Sequence, residues 1–206
     1  MSNDQIMQRL LSQESGIDSR KIRDGRLASD ELQSLLISMD VVGDSQIFLD
    51  DTPGITPMAL RSKLQRLKRE ADIDLIIIDY LQLMSGDLFK DNRVQEVSYI
   101  SRNLKILAKE FNVPVLTAAQ MSRSVEQRAD KLPMLSDLRE SGSLEQDADI
   151  VMFLHQPDSD SGEGLEGLVK LIVAKHRNGP IGDIDLVYRK NLARFDNAAR
   201  MNDYGG

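Results

Sequence analysis

Apolar residues along the chain follow two patterns, stripes spaced near 3.6 and short continuous runs, and their alternation sets the expected architecture. Ser2-Asn3-Asp4-Gln5 reads as a capping box opening a helix through about Leu11, with Ile6, Met7, Leu10 and Leu11 on one face. A polar connection, Ser15–Gly25, follows. Leu32, Leu35, Leu36 and Met39 then recur at i, i+3, i+4, i+7, with Ser29 placed to cap them. Thr56-Pro57 is a cap followed by proline at the first helical position, and Leu60, Leu64 and Leu67 give that helix its buried stripe. The longest helical pattern keeps Val97, Ile100, Leu104, Leu107, Ala108 and Phe111 on one side.

Between these stripes lie the runs that read as strands. The most concentrated is in Ile73–Met84, where Leu75 to Ile78 is apolar throughout and stops at one carboxylate, Asp79. A strand apolar on both faces requires cover on both faces, as in central strands of parallel sheets. Gln46–Asp50 is a shorter strand, broken by Asp51-Thr52-Pro53-Gly54. Pro114–Gln120 is a buried strand ending in an amide, and Ile150–Leu154 is another. Met121–Asp147 is highly polar and reads as mobile loops, Asp158–Glu166 as an acidic surface loop. Leu168–Arg177 and Ile184–Lys190 are two strands joined at the turn Asn178-Gly179-Pro180, and Arg194–Gly206 is a weakly ordered tail. With no internal repeat and no linker, the expected fold is a single α/β domain. Its mostly parallel sheet has flanking helices and closes in a C-terminal antiparallel hairpin.

Composition narrows the function classes. The 206 residues are 41% hydrophobic and 29% charged, ordinary for a globular protein that builds its own core. The absence of cysteine excludes disulfides and Cys-based zinc sites. No apolar run approaches the ~18 residues of a membrane span, so no membrane partner is expected. A net charge of −7 argues against bulk adhesion to nucleic acid and leaves room only for a local basic patch. Aromatics are 4% with no Trp, so any grip on single-stranded nucleic acid would fall on its backbone rather than its bases.

Candidate chemistry gathers at strand ends, where ligands collect in open α/β sheets. Asp79 ends one strand and can hold Mg²⁺ against nucleotide phosphates. The bland alternative, an acid that starts a loop, carries equal weight for Asp79 alone. Gln120 ends a second strand, and Lys175 and Arg177, two apart on a third, share a face. Taken singly, these are a polar strand cap and a solvated edge. Together with Asp79 they make a phosphoryl-transfer kit: an acid for metal, an amide to sense phosphate and two cations for developing charge. His155 and His176 stand near no second metal ligand and read as structural or surface residues. The kit lacks one part, because no Gly-x-x-x-x-Gly-Lys-Ser/Thr string occurs in the chain. Gly162-Glu163-Gly164 has neither the lysine nor a following helix, and its acidic neighbours would repel phosphate.

Longer motifs carry a resemblance. Leu75–Leu83 with Tyr80-Leu81-Gln82-Leu83, Gln120-Met121-Ser122-Arg123-Ser124-Val125-Glu126, the run from Ser136-Asp137-Leu138-Arg139-Glu140 to Asp147-Ala148-Asp149, Lys175-His176-Arg177-Asn178-Gly179-Pro180 and Arg194-Phe195-Asp196-Asn197 closely resemble the RecA-like motor domain of DnaB-type replicative helicases. The resemblance covers about residues 1–197, leaving 198–206 as a tail. It implies a RecA-like P-loop NTPase core using ATP and Mg²⁺, with Asp79 as the Walker B aspartate and Gln120 relaying nucleotide state. Lys175 and Arg177 would reach into a neighbouring subunit's ATP site, Arg177 as the arginine finger. Arg123 and the Arg139-Glu140-Ser141-Gly142 loop would hold single-stranded DNA. The implied partners are other subunits of a homohexamer, primase and a helicase loader, and the implied location is cytoplasmic.

Against the family pattern, Met1-Ser2 resembles residues just after the strand carrying the catalytic glutamate. The expectation is therefore an N-terminally truncated motor domain, a fragment or the carboxyl-terminal piece of a split gene, inactive alone in ATP hydrolysis. Two other readings stand beside the helicase: a non-enzymatic DNA- or subunit-binding remnant modulating an intact helicase, and another RecA-like ATPase such as a recombinase. The long Arg139–Asp149 run resembles the helicases more specifically than the recombinases.

Overall fold

A computed structural model describes residues 1–86, 92–122, 125, 128, 130–157 and 167–198, with the side chains of Arg139, Glu140 and Ser141 outside the description. The chain divides into two compact units: Met1–Asp51, Leu154–Leu171 and Asp183–Gly206 form one, Thr52–Phe153 and Ile172–Gly182 the other.

In the first unit, α1 (Asn3–Ser15) starts on the expected box: Ser2 Oγ accepts from Gln5 N–H at 3.4 Å, and Ser2 N–H donates to Gln5 Oε1 at 3.2 Å. It runs past Leu11 and stops where Gly16 takes φ 71°. The polar connection holds a short helix, α2 (Ser19–Asp24), because the Asp18 carboxylate caps it at Arg20 N–H, 2.8 Å away. In α3 (Ser29–Asp44) Ser29 is the first helical residue rather than the cap. The Glu31 carboxylate secures that end by accepting the Ala28 N–H at 3.0 Å. The face turned inward carries Leu35, Ser38 and Val42, whereas Leu32, Leu36 and Met39 stay about half exposed. The apolar arc of α3 is wider than the face α1 covers.

Gln46–Asp50 is not a strand. It lies outside any ladder with Ile47 and Phe48 exposed, since strand propensity without an edge to pair with forms no strand. The expected tail begins instead with a strand. After β5 (Gly182–Arg189), β6 (Arg194–Asn197) pairs antiparallel in the register Leu186↔Asn197 to Arg189↔Arg194. Tyr188 and Phe195, opposite each other, place their rings 4.7 Å apart, and Asp196 accepts from Arg189 and Arg194. Residues 199–206 and the acidic loop 158–166 lie outside the described residues.

In the second unit, α4 (Pro57–Leu67) is capped by Thr56, β1 (Ile76–Ile78) pairs parallel with β2 (Val115–Thr117), and α5 (Arg93–Phe111) is the long helix. Leu64, Ile76, Leu81, Ile100, Leu104, Leu107 and Phe111 form the larger core. Arg61 on α4 pairs with Glu110 on α5 at 2.9 Å. The stretch Met121–Asp147, expected as loops, contains a 3₁₀ helix (Leu135–Ser141) and α6 (Gly142–Asp147). Leu138 and Leu144 provide the apolar anchors, too sparse to show as a stripe.

The strands do not join into one sheet. β1 and β2 form a pair, while β3 (Ile150–His155), β4 (Leu168–His176), β5 and β6 form a second sheet in that order. The two-sided burial expected for β1 is one-sided: Ile76 is 8% exposed and Ile77 65%. Helices α4 and α5 supply residues to the core on the Ile76 side, and the other face of β1 stays open among the described residues.

Candidate functional site

The apolar run of β1 ends at Ile78, and Asp79 follows at once with an exposed side chain that no described residue holds by hydrogen bond or ion pair. The peptide between Asp79 and Tyr80 is cis. A carboxylate free of protein partners keeps its lone pairs for a cation. Among the described residues no three His, Asp or Glu side chains gather into a metal cage. That arrangement suits Mg²⁺, which takes one or two carboxylates and completes its shell with phosphate oxygens and water. The residues present thus fit a metal brought in with a nucleotide and do not fit a protein-caged ion.

β2 ends beside β1, so the parallel pairing brings the following segments together. Gln82 clamps them: its Nε2 donates to Gln120 O at 3.3 Å, and its Oε1 accepts Gln120 N–H at 3.2 Å. Gln120 itself is exposed. Arg93 donates to Gln82 O at 2.6 Å and to Glu96 at 2.5 Å, and Glu96 accepts the Gly86 N–H at 2.9 Å. The Gly86 amide, with Arg93 adding to it, holds the Glu96 carboxyl below its ordinary range. Gln82, Arg93, Gln120 and Ser122 line a polar cavity of about 30 Å³, enough for one water.

Below this clamp the buried Asp137 accepts from Arg128 Nη2 at 2.7 Å and Met134 N–H at 2.8 Å, while its carbonyl accepts Ser122 N–H at 3.0 Å. Gln82, Glu96 and Asp137 were not singled out from the sequence. Asp137 alone left a local signal, an acid three residues into a helical turn.

Lys175 and Arg177 project together, as their spacing predicts. Lys175 Nζ donates to Glu145 O and Arg177 Nη2 to Gln146 O, both carbonyls near the C-terminal end of α6. Cations suit a helix C-terminus, although a six-residue helix offers little dipole. Arg177 N–H also donates to Asp149 O at 2.9 Å, and its Nε lies 3.7 Å from Asp149 Oδ1. Lys105 from α5 donates to the same carboxylate. Lys105, then the charges of Arg177 and Lys175, hold the Asp149 carboxyl below its ordinary value. No described contact joins Asp79 to Lys175 or Arg177. His176 Nδ1 lies 3.2 Å from Pro180 O, and its ring is packed where a Cβ on Gly179 would strike it. Of the residues expected at DNA, Arg123 lies outside the described residues. Arg139 and Glu140 fall in the 3₁₀ helix, and Gly142 opens α6.

A parallel strand pair with helices packed against it, followed by an antiparallel β-structure, makes an α/β domain. The family follows from comparison: the model for the DnaB-like helicase C terminal domain matches residues 1–197, and the chain belongs to that family. It is 46% identical over 208 residues to the replicative DNA helicase DnaC of Bacillus subtilis, covering 100% of this chain and 46% of that protein. It is 46% identical to the replicative DNA helicase DnaB of Geobacillus stearothermophilus, of which it covers 45%. The chain therefore spans less than half the length of these relatives. A solved ATPase domain superposes with a TM-score of 0.90 at 38% identity, over 96% of this chain and 72% of that one. A structure of a DnaB-like replicative helicase and its interactions with primase gives 0.89 at 38%, over 96% of this chain and 48% of that one.

Proposed function

We propose that this chain is the C-terminal portion of an ATP-dependent replicative DNA helicase. In this reading it works in the cytoplasm within a ring hexamer that translocates on single-stranded DNA and unwinds duplex at the replication fork. The observation that carries the reading is the family match across residues 1–197. Asp79 would hold Mg²⁺, which neutralises phosphate charge when nucleotide is bound. Gln120, kept in place by Gln82, would report that event along the segment leading to the DNA loop. Lys175 and Arg177 would serve a neighbour's nucleotide, leaving the α6 carbonyls that now hold them. Arg123 and Arg139 with Glu140 and Gly142 would follow the DNA backbone. Primase and a helicase loader complete the proposed partners.

A second reading is a non-enzymatic DNA- or subunit-binding module, since these 206 residues hold no Gly-x-x-x-x-Gly-Lys-Ser/Thr string. It would then act on intact neighbours without turning over ATP itself. Adding the purified chain to intact B. subtilis replicative helicase tests both readings. We expect no ATP turnover by the chain alone, a changed ATPase rate in the mixture, and loss of that change with Arg177→Ala. Sustained turnover by the chain alone that Asp79→Ala abolishes would overturn the expected inactivity. An unchanged rate in the mixture would overturn action at a neighbour's site.

A further inference from the structure

Asp137 is 5% exposed and draws three stretches of the second unit together. Its Oδ2 accepts from Arg128 Nη2 at 2.7 Å and from the Met134 N–H at 2.8 Å. Its own N–H donates to Met134 O at 2.9 Å, and its carbonyl accepts the Ser122 N–H at 3.0 Å. Ser122 stands two residues past Gln120, whose N–H and carbonyl are both held by Gln82. Arg139 stands two residues past Asp137 on the other side. Between them Leu138 is buried with Val151, Phe153 and Ile172, and it departs from helical geometry at φ −80°, ψ 19°. The backbone that carries Arg139 is therefore attached twice, through Asp137 to the segment after β2 and through Leu138 to an apolar cluster. A neutral amide at position 137 could still accept the Met134 N–H. Only the Arg128 guanidinium, which also donates to Leu132 O at 2.8 Å, calls for a carboxylate there, and a buried carboxylate is costly unless paired.

We propose that Asp137 is a positioning residue for DNA. With Arg128 as its counter-ion it ties the segment Leu135–Ser141 to the Gln120–Ser122 stretch, so that Arg139 meets the phosphate backbone in one fixed place. The role rests on the proposed DNA contact at Arg139 and adds to it the group that fixes that cation. A displacement at Gln82 then passes through the Gln120 and Ser122 peptide groups to Asp137 and on to Arg139. Were Leu138 packing alone sufficient, Asp137 could lose its charge without consequence for Arg139.

Two measurements on the 206-residue chain test it. Fluorescence anisotropy reads oligo(dT) affinity for Asp137→Asn, Arg139→Ala and the double variant, with circular dichroism checking the fold. Asp137→Asn should weaken binding about fivefold in the native background and not at all beside Arg139→Ala, the non-additivity of residues that act through one another. Equal weakening in both backgrounds would mark a general loss of structure and overturn the proposal. So would an Asp137→Asn chain that binds as the native one does while Arg139→Ala weakens binding. The second measurement compares amide chemical shifts between the native chain and Gln82→Ala, a change outside the Asp137 contacts. The Ser122, Asp137 and Arg139 amides should all move, and Asp137→Asn should stop the movement at Ser122. Shifts that already stop at Ser122 in Gln82→Ala alone would overturn the positioning role, even if Asp137→Asn failed to fold. If instead Arg139→Ala leaves affinity unaltered, the DNA contact at Arg139 falls, and the role of Asp137 toward DNA falls with it.

Discussion

Glu96 shows how much of the candidate site depends on a residue that touches none of the proposed ligands. Its two oxygens hold the Gly86 N–H and Arg93, and Arg93 in turn holds Gln82, which holds Gln120. Glu96→Gln keeps the shape and removes the charge. It should cost about 1–2 kcal/mol, the range for weakening a partly buried charged hydrogen bond, read as a lower urea midpoint. Gln82→Ala should cost less, about 1 kcal/mol, because its partners reach water, yet it should raise amide exchange at Gln120 more than Glu96→Gln does. Asp149 gives the pH dependence. Lys105 first, then Arg177 and Lys175, depress its carboxyl in the folded state. A depressed acid contributes stability that is present above its unfolded value, near 3.8, and is lost as pH falls through the lower folded value. Stability should therefore drop below about pH 4, and Lys105→Met should move the Asp149 titration, followed by carbon-13 NMR, back toward 3.8. The pair is largely solvated, so Lys105→Met should cost only about 0.5 kcal/mol near neutral pH.

Among the elements, those with one strong local determinant were legible in the sequence. α1 begins at its capping box, α4 at Thr56-Pro57, and α5 buries Val97, Ile100, Leu104, Leu107 and Phe111 as its stripe requires. Ile100 is fully buried, and Ile100→Ala should cost about 2–5 kcal/mol, visible as a large fall in melting temperature. Elements decided by distant partners were not legible. Gln46–Asp50 has strand composition but no edge to join, and β6 formed from a stretch with no apolar alternation because β5 offered one. α6 is six residues held by Leu144 and by cations from β4 and its end, contacts remote in sequence. The site divides the same way. The spacing of Lys175 and Arg177 placed them on one face without help, whereas the Gln82 clamp depends on the parallel pairing of two strands and joins residues 38 apart.

At the scale of the whole molecule, the charge balance decides how this chain could hold a polyanion. A net charge of −7 repels DNA at long range, but at physiological salt the Debye length is about 8 Å, so carboxylates beyond that distance count for little. On the proposed reading, binding comes from the few cations in and around the 3₁₀ segment Leu135–Ser141, Arg139 foremost. Each phosphate neutralised on single-stranded DNA contributes about −0.7 to the slope of log affinity against log salt. With one or two such contacts, the chain should bind oligo(dT) weakly, with a slope of about −0.7 to −1.4, and Arg139→Ala should flatten it by about 0.7. A charge change at an exposed residue on another element, such as Lys63→Gln on α4, should shift affinity only at low salt and leave the slope at higher salt unaltered. Because the chain has no Trp and few aromatics, oligo(dA) and oligo(dT) should bind alike, since no stacking platform distinguishes them. Fluorescence anisotropy at several salt concentrations separates the cases. A slope that Arg139→Ala leaves untouched would place the DNA contact elsewhere, and a strong preference for one base would mean that bases rather than phosphates are being held. Both results would count against the proposed contact, in which this segment follows the backbone.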